Sequence, residues 1–435
     1  MSDERAEQPS PYRWVILAIA IVAYGTSQFS RQNYTGVQKF IAGDLHLDRG
    51  TLGLMGSAFF YAYALAQMPW GIASDRIGSR GIIGLGILLT AITTSGFATG
   101  NSINALIVWR ILAGIASAAV YVPLTGGIAR WFPQKERGLS QGTLGGVGGA
   151  VGEGTAYAAL PILSIYFASG WRQGMHMIAG VIAVMGVLTL LLFRSAPATQ
   201  AATSRKPFDW KLLADPEVLC YSFIWSGFVV GIRIAQIWIA VYAADIYIST
   251  QGLTLNQAVV RGGVLALLAF SLVGRAIGCP LAGRMTDSFL KRGISRAMVL
   301  IGWMLLAIVL FHILGSGDVS IPLLAVCAAL LGTAVNLFGI VPAAFNDRFG
   351  AQRTASLSSF ANTMAQLAGA TALALSGYVG ISMNATPGNA LAEYRGIWLC
   401  AEVGMGIMAV LAIGSYIAAR RLQAPDYGLQ EASSL

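Results

Sequence analysis

The sequence is short of charged residues. Asp, Glu, Lys and Arg make up 11% of its 435 residues, whereas hydrophobic residues make up 56% and the mean hydropathy is +0.66. In soluble domains, roughly a quarter of all residues are charged. Because ionised side chains are costly in hydrocarbon, a lipid bilayer as solvent explains the shortage. The composition therefore predicts a membrane protein rather than a soluble enzyme.

Residues that build metal sites and catalytic centres are also scarce. The chain has 3 His and 4 Cys, and the cysteines lie far apart within apolar runs, without a CxxC or a His/Cys spacing that suits zinc. No Walker-type phosphate loop and no nucleophile–base pair is recognisable. We therefore expect no metal, no cofactor, no catalytic residue and no ATP-driven pump.

Long apolar runs dominate the chain. A membrane-spanning helix needs about 20 mostly apolar residues. On that basis the sequence predicts an all-α membrane protein of twelve transmembrane helices. The predicted spans are 13–40, 52–73, 81–99, 103–124, 139–165, 173–194, 217–245, 257–283, 296–314, 320–343, 354–380 and 392–419.

The net charge of +9 comes from basic residues in short loops between the runs. With both termini placed in the cytoplasm, nineteen Lys and Arg residues fall on the cytoplasmic side and five outside, while four lie within spans. This bias follows the positive-inside rule and argues against nucleic-acid binding. We expect a multi-pass protein of the bacterial inner membrane, and a monomer.

Two pairs of loops repeat along the chain. Gly71-Ile-Ala-Ser-Asp-Arg-Ile-Gly-Ser-Arg80 follows span two, and Gly283-Arg-Met-Thr-Asp287 follows span eight. The loops after spans four and ten, 131–138 and 345–350, also correspond. A duplicated six-helix unit explains both pairs. The predicted organisation is a first six-helix bundle at 1–194, a cytoplasmic linker at 195–216, a second bundle at 217–422 and a tail at 423–435.

The loop from Gly71 to Arg80 resembles the cytoplasmic signature of the major facilitator superfamily. The resemblance implies two pseudo-symmetric six-helix bundles around a central cavity. It also implies a cytoplasmic gate of charged residues, namely Asp75, Arg76, Arg80, Asp287, Arg137 and Arg348. The run from Arg110 to Gly114 resembles a family motif linked to proton coupling, and a buried structural arginine explains it equally well.

Charged residues within spans are candidates for the transport site. Arg31 and Arg233 lie at similar depth in the first span of each repeat, and each would cost about 3 kcal/mol if it faced lipid. Facing inward, they would hold a small anion through bidentate hydrogen bonds. Polar residues of the same helical faces and of neighbouring spans extend the predicted substrate site: Tyr24, Gln28, Gln236, Tyr63, Gln67, Tyr121, Asn362 and Gln366.

Span five is rich in glycine and carries a deep acid, Glu153. In the family that the chain resembles, spans five and eight face each other, so we expect Glu153 to pair with Arg275. The hypothesis is a proton-sensitive contact between the bundles, and a permanently protonated or hydrogen-bonded Glu153 is the alternative. We group Arg110 with this pair as a residue for proton coupling or interdomain contact.

The arginine pair resembles that of organophosphate:phosphate antiporters, through Arg31-Gln-Asn-Tyr34 and through Arg233 with Trp238 and Tyr242. Gln67 and a glycine near Gly148 replace basic residues of that family. Anion:cation symporters for carboxylates also resemble this chain. The sequence therefore predicts a secondary transporter of an organophosphate, phosphonate or carboxylate, coupled to a proton or a counter-anion. A multidrug or metabolite exporter and a non-transporting sugar-phosphate sensor are the alternatives.

Overall fold

The computed structural model describes residues 11–132, 136, 140, 142–167, 170–194, 210–317, 319–383 and 391–423. Nearly all of them lie in twelve helices, which we number α1 to α12. Uninterrupted helices are α1 (Tyr12–Leu45), α2 (Arg49–Ile77), α3 (Ser79–Thr99), α4 (Ile103–Trp131), α6 (Gly170–Leu192), α7 (Pro216–Gln251), α9 (Arg296–Gly315), α11 (Ala351–Ser382) and α12 (Glu393–Gln423).

Three helices change their hydrogen-bond register along their length. α5 joins a π-helical segment, Leu144–Gly148, to an α-helical one, Gly149–Tyr166. α8 runs through Leu255–Leu265, a π-helical stretch at Ala266–Gly278 and Cys279–Lys291. α10 consists of Ile321–Ala334, a 3₁₀ turn at Leu337–Ile340 and Val341–Phe349. A further 3₁₀ turn, Trp210–Ala214, precedes α7.

Local sequence explains where several helices begin and end. The side chain of Asp48 accepts a hydrogen bond from the backbone of Thr51 at the start of α2, and Asp215 caps α7 ahead of Pro216. α7 ends at Gly252, whose φ of 61° is costly for other residues. Pro342 follows the break in α10, where a missing backbone N–H interrupts the helical ladder.

By length and composition alone, nine of the described helices are able to cross a membrane. The other three, α1, α2 and α5, bury polar side chains inside the protein, among them Gln28, Arg31, Gln67 and Glu153. Large apolar side chains such as that of Leu65 remain exposed on the outer faces of the helices, as lipid contact requires. The molecule is a multi-pass membrane protein.

The helices form a first half, α1 to α6, and a second half, α7 to α12, as the twelve-helix prediction implies. The halves meet along two lines, α2 against α11 and α5 against α8, while α1 faces α7 between them. The two lines are equivalent under the repeat, because α8 corresponds to α2 and α11 to α5. The halves are therefore pseudo-symmetric, and the fold prediction is confirmed.

Glycine allows the backbones to come close on both lines. A Cβ atom at Gly377 of α11 would overlap the carbonyl oxygen of Arg49 in α2. A Cβ atom at Gly263 of α8 would overlap the carbonyl oxygen of Tyr157 in α5. Any side chain at either position would force the halves apart.

Candidate functional site

Arg31 and Arg233 lie near the middle of α1 and α7, and both side chains are buried. The Cζ atom of Arg31 lies 4.3 Å from the ring centroid of Tyr63, and that of Arg233 lies 3.9 Å from the ring centroid of Phe60. Phe60 and Tyr63 are one helical turn apart on α2, so the two guanidinium groups lie over neighbouring rings. The charge of Arg31 acts electrostatically on Arg233. The structure thus brings the two predicted arginines together between the halves.

The two arginines lack an acidic partner among the described residues. The guanidinium of Arg31 makes no hydrogen bond within this part of the chain, and its Nε atom is fully buried. Arg233 donates from Nη1 to Gln236 Oε1 and from Nη2 to Gln366 Oε1, each at 2.7 Å, and its Nε atom has no partner. Buried cations normally carry a compensating anion, so these two positive charges leave a site for an anionic ligand.

A chain of neutral amides leads from Arg233 to the first half. Gln366 Nε2 donates to Asn362 Oδ1 at 3.1 Å, and Asn362 Nδ2 donates to Gln67 Oε1 at 2.9 Å. The last bond joins α11 to α2. Three of the predicted substrate residues therefore form one connected cross-half contact.

A second chain leads from Arg233 to Glu153. Gln236 Nε2 donates to Glu153 Oε2 at 2.9 Å, and Arg275 Nη1 donates to the same oxygen at 2.5 Å. The hydroxyl of Tyr157 lies 3.2 Å from Glu153 Oε1 and 3.1 Å from the carbonyl oxygen of Gln236. Glu153 is completely buried. The expected neighbours Glu153 and Arg275 are in contact across α5 and α8, and the carboxylate is joined to the substrate arginine through one amide.

Aromatic rings and one amide complete the surroundings. The rings of Tyr24 and Tyr121 are 5.0 Å apart, and Tyr24 lies beside Arg275. The Oε1 atom of Gln28 is buried without a hydrogen-bond partner in the described chain. Trp238 and Tyr242, by contrast, bond to Ser376 and to a backbone oxygen within the second half.

Arg110 lies elsewhere. Its Nε atom donates to the carbonyl oxygen of Met55 at 3.4 Å, and its Cζ atom lies 4.8 Å and 4.6 Å from the rings of Tyr34 and Phe59. All three neighbours belong to the first half. The described contacts of Arg110 thus do not join the halves and agree with the alternative of a buried arginine bound to a backbone carbonyl, while its role in proton coupling stays a prediction.

An ion-pair cluster that sequence reasoning missed joins the halves at one end of the bundle, which we call the tight end. Asp245 of α7 binds Lys39 of α1, accepts from Arg49 Nη2 at 3.1 Å and accepts from the hydroxyl of Tyr394 at 2.7 Å. Arg49 also contacts Glu393 at the start of α12. The sequence offers one signal for this cluster, namely acidic residues at the ends of predicted spans. The topology prediction counts only the basic residues there and therefore passes over Asp245 and Glu393.

The opposite end, where α1 and α7 begin and α6 and α12 end, holds the predicted gate, and we call it the linker end. Arg80 donates to the carbonyl oxygen of Leu190 at 2.6 Å, and Arg348 pairs with Glu217 at 3.2 Å, each within its own half. Arg76 and Asp287 are exposed. Arg137 and the side chain of Asp75 lie outside the described residues. Within the described chain, these gate residues thus make no hydrogen bond or ion pair between the halves in this conformation.

Comparisons with known proteins agree with this architecture. The family profile of the Major Facilitator Superfamily matches residues 20–373. The chain resembles a probable hexose phosphate transport protein of Chlamydia pneumoniae, with 26% identity over 40% of this chain, and the probable sulfoacetate transporter SauU of Cupriavidus necator, with 28% identity over 42%. The matches cover 38% and 42% of those relatives, less than half of their length.

A solved structure shares the fold over nearly the whole chain. It is that of a bacterial homolog to the human lysosomal transporter Spinster, with a TM-score of 0.71, 20% identity and coverage of 95% of this chain and 98% of the other. At this identity the likeness establishes the fold alone. It agrees with the arrangement of two six-helix halves described above.

Proposed function

The chain belongs to the Major Facilitator Superfamily, and from that premise we propose that it carries a small organic anion across the membrane by alternating access. Arg31 and Arg233 bind the anion between the halves. The observation that carries the proposal is that neither buried guanidinium has an acidic partner within the described chain. The family match also confirms the expectation that the chain is not an enzyme.

The chemistry of the two arginines defines the substrate class. A guanidinium has five N–H donors and no acceptor, and only two donors of Arg233 are used by the amides. The remaining donors suit the planar oxygens of a carboxylate or the tetrahedral oxygens of a phosphate, phosphonate or sulfonate. The substrate is therefore an organic anion with at least one such head group.

Names of relatives support this class without deciding within it. The relative from Chlamydia pneumoniae is named for hexose phosphate transport, and the relative from Cupriavidus necator is named for sulfoacetate transport. Both compounds combine an anionic head with a small polar body, which in sulfoacetate is a second anionic group, the carboxylate. Gln28, Tyr24 and Tyr121 line the region beside the arginines and offer hydrogen bonds to such a body.

The two ends of the bundle support alternating access. The tight end is held by ion pairs between the halves, whereas the described gate residues at the linker end bond within their own halves. The excess of basic residues at the linker end assigns that end to the cytoplasm. We propose that the bundles 1–194 and 217–422 rock about the arginines in an inner membrane, with 195–216 as the linker, 423–435 as the tail, and a monomer as the transporting unit.

Binding measurements on the purified protein test the anion proposal. Inorganic phosphate, glucose 6-phosphate and sulfoacetate are titrated into wild type, Arg31→Ala, Arg233→Ala and Arg261→Ala. Hydrogen bonds to charged groups contribute roughly 1.5–3 kcal/mol each, so the Kd should rise about 10- to 100-fold in the first two variants. Arg261 is exposed and bonds to Gln251, and its variant is the control.

Other outcomes identify the alternatives. Binding of cationic or neutral compounds alone would favour an exporter and overturn the anion proposal. Anion binding without uptake into proteoliposomes would favour a sensor. Uptake that survives in both arginine variants would show that the anion binds elsewhere.

A further inference from the structure

Gln236 occupies a connecting position that the anion site alone does not explain. Its Oε1 atom accepts from Arg233 and its Nε2 atom donates to Glu153, at 2.7 and 2.9 Å. The residue is buried, with 2% of its surface exposed. A single amide therefore links a cation that faces the substrate to a carboxylate that holds the two halves together.

The orientation of this amide is fixed by its neighbours. Arg233 has only donors, so the oxygen of Gln236 must face it. The NH₂ group then points at Glu153 and requires an acceptor there. Glu153 Oε2 accepts this bond and that of Arg275, and an ionised carboxylate accepts such bonds most strongly. Arg233 thus keeps a donor of Gln236, rather than an acceptor, turned towards Glu153.

The groups around Glu153 come from four helices. Arg275 of α8 and Arg233 of α7 are positively charged, while Tyr24 of α1 and Tyr157 of α5 are neutral phenols. Among these groups, the charge balance at Glu153 changes only when an anion arrives at Arg233. The carboxylate is therefore placed to respond to the substrate.

We propose that Gln236 is a positioning residue that links anion binding at Arg233 to proton binding at Glu153, so that the chain is an anion:proton symporter. This inference rests on the proposed function and adds its coupling ion. The bound anion repels the nearby carboxylate and weakens the hold of Arg233 on the amide oxygen. Gln236 is then free to rotate and to accept a hydrogen bond from protonated Glu153.

The proton also bears on the movement of the halves. It comes from water on the open side, binds a carboxyl oxygen of Glu153 and replaces the ion pair with Arg275 by a neutral contact. Arg275 then keeps the carbonyl oxygen of Gly145, at 3.4 Å, as its described partner. The α5–α8 contact is loosened only when anion and proton are both bound, and the proton is released to water on the other side.

Proton uptake on anion binding is the measurement that tests this link. Calorimetric titration of wild type with sulfoacetate is repeated between about pH 6 and pH 8 in buffers of different ionisation heat. The carboxylate of this probe is fully ionised in that range, because ordinary carboxyl groups titrate near pH 4. If anion binding and proton binding are linked, the number of protons taken up should approach one per bound sulfoacetate within part of this pH range. In the same part of the range, the affinity for sulfoacetate should rise up to tenfold per unit fall in pH.

Variants separate the two amides of Arg233. Glu153→Gln and Gln236→Leu should bind sulfoacetate with no proton uptake and no pH dependence. Gln366→Leu removes the other amide partner of Arg233, which leads to Asn362 rather than to an acid. It should change the affinity for sulfoacetate but keep the uptake of one proton per bound anion and the rise in affinity at lower pH. Gel filtration and thermal melting confirm that each variant is folded.

The outcomes are distinguishable from failure of the anion proposal. Wild type that binds sulfoacetate without proton uptake at any pH would overturn the symport inference and leave the anion site intact. Full proton uptake in folded Gln236→Leu would remove the role of Gln236. Failure of sulfoacetate, glucose 6-phosphate and phosphate to bind at all would overturn the proposed function itself.

Discussion

The two contact lines between the halves are related by the repeat, yet they differ in chemistry at mid-height. On the α2–α11 line, Asn362 donates to Gln67, and both groups are neutral. On the α5–α8 line, Arg275 donates to Glu153, and both groups are charged. Each line connects to Arg233 through one glutamine. One line therefore carries charged groups at mid-height, and the other carries neutral ones.

Both lines share their closure at the tight end. Arg49 at the start of α2 and Asp245 near the end of α7 are bound to each other there, and glycine allows close backbone contact on each line. The structure thus combines a common closure at the tight end with one charged and one neutral contact at mid-height. The predictions below separate these contributions.

Glu153→Ala should have the largest effect. The substitution leaves the buried guanidinium of Arg275 without its carboxylate, and breaking a buried ion pair from one side costs roughly 3–5 kcal/mol. The free energy of unfolding in detergent measures the loss. Glu153→Ala/Arg275→Ala should recover part of it, because the double variant leaves no unpaired charge. If the double variant loses as much free energy of unfolding as the two single variants lose together, the two residues are not coupled.

Asp245→Asn should loosen both contact lines and lower the free energy of unfolding by roughly 2–3 kcal/mol. The cost of unpairing Lys39 and Arg49 is reduced because these side chains are partly exposed, at 16% and 13%. Spin labels at Gly43 of α1 and Ser249 of α7 should report a longer distance across the tight end.

Asp44→Asn is the matched control for that experiment. Asp44 is an acid at the same end, but it accepts from Trp171 at 2.6 Å within the first half. The label distance in this variant should equal that of wild type. If both variants, or neither, open the tight end, Asp245 is not what holds it closed.

Gly263→Ala and Gly377→Ala should have similar effects on the two lines. Each new Cβ atom overlaps a backbone oxygen of the other half, and overpacking typically costs about 1–3 kcal/mol. Gly406→Ala, where a Cβ atom meets nothing within 4 Å, should instead be neutral or stabilising. Thermal melting compares the three. If Gly263→Ala or Gly377→Ala left the melting temperature unchanged, the backbones would be in close contact on the other line only.

The fold and part of the site were predictable from sequence for the same reason. Hydrophobic runs long enough to span a bilayer define the helices, and a charge inside such a run is conspicuous. That is how Arg31, Arg233 and Glu153 were found. Phe60, which lies under Arg233, was missed because a phenylalanine in an apolar helix is indistinguishable from a packing residue.

The remaining contacts depend on tertiary structure. Asp245, Arg49 and Glu393 lie near span ends, where charges are ordinary, and their pairing is set by how the halves meet. The roles of Arg76, Asp287 and Arg348 stay predictions, because a gate is visible only in the state that closes it. The π-helical segments of α5 and α8 follow from packing and have no pattern in the sequence.

Gln67→Ala gives the smallest expected effect and completes the comparison. It removes the acceptor of one neutral hydrogen bond from Asn362, so the free energy of unfolding should fall by only about 0.5–1.5 kcal/mol. The loss should not depend on pH, because no charged group lies on this chain beyond Arg233. The same measurement on Glu153→Ala should give a larger loss, because that substitution breaks a buried ion pair. Equal losses at every pH would mean that the charge on the α5–α8 line does not distinguish it from the α2–α11 line.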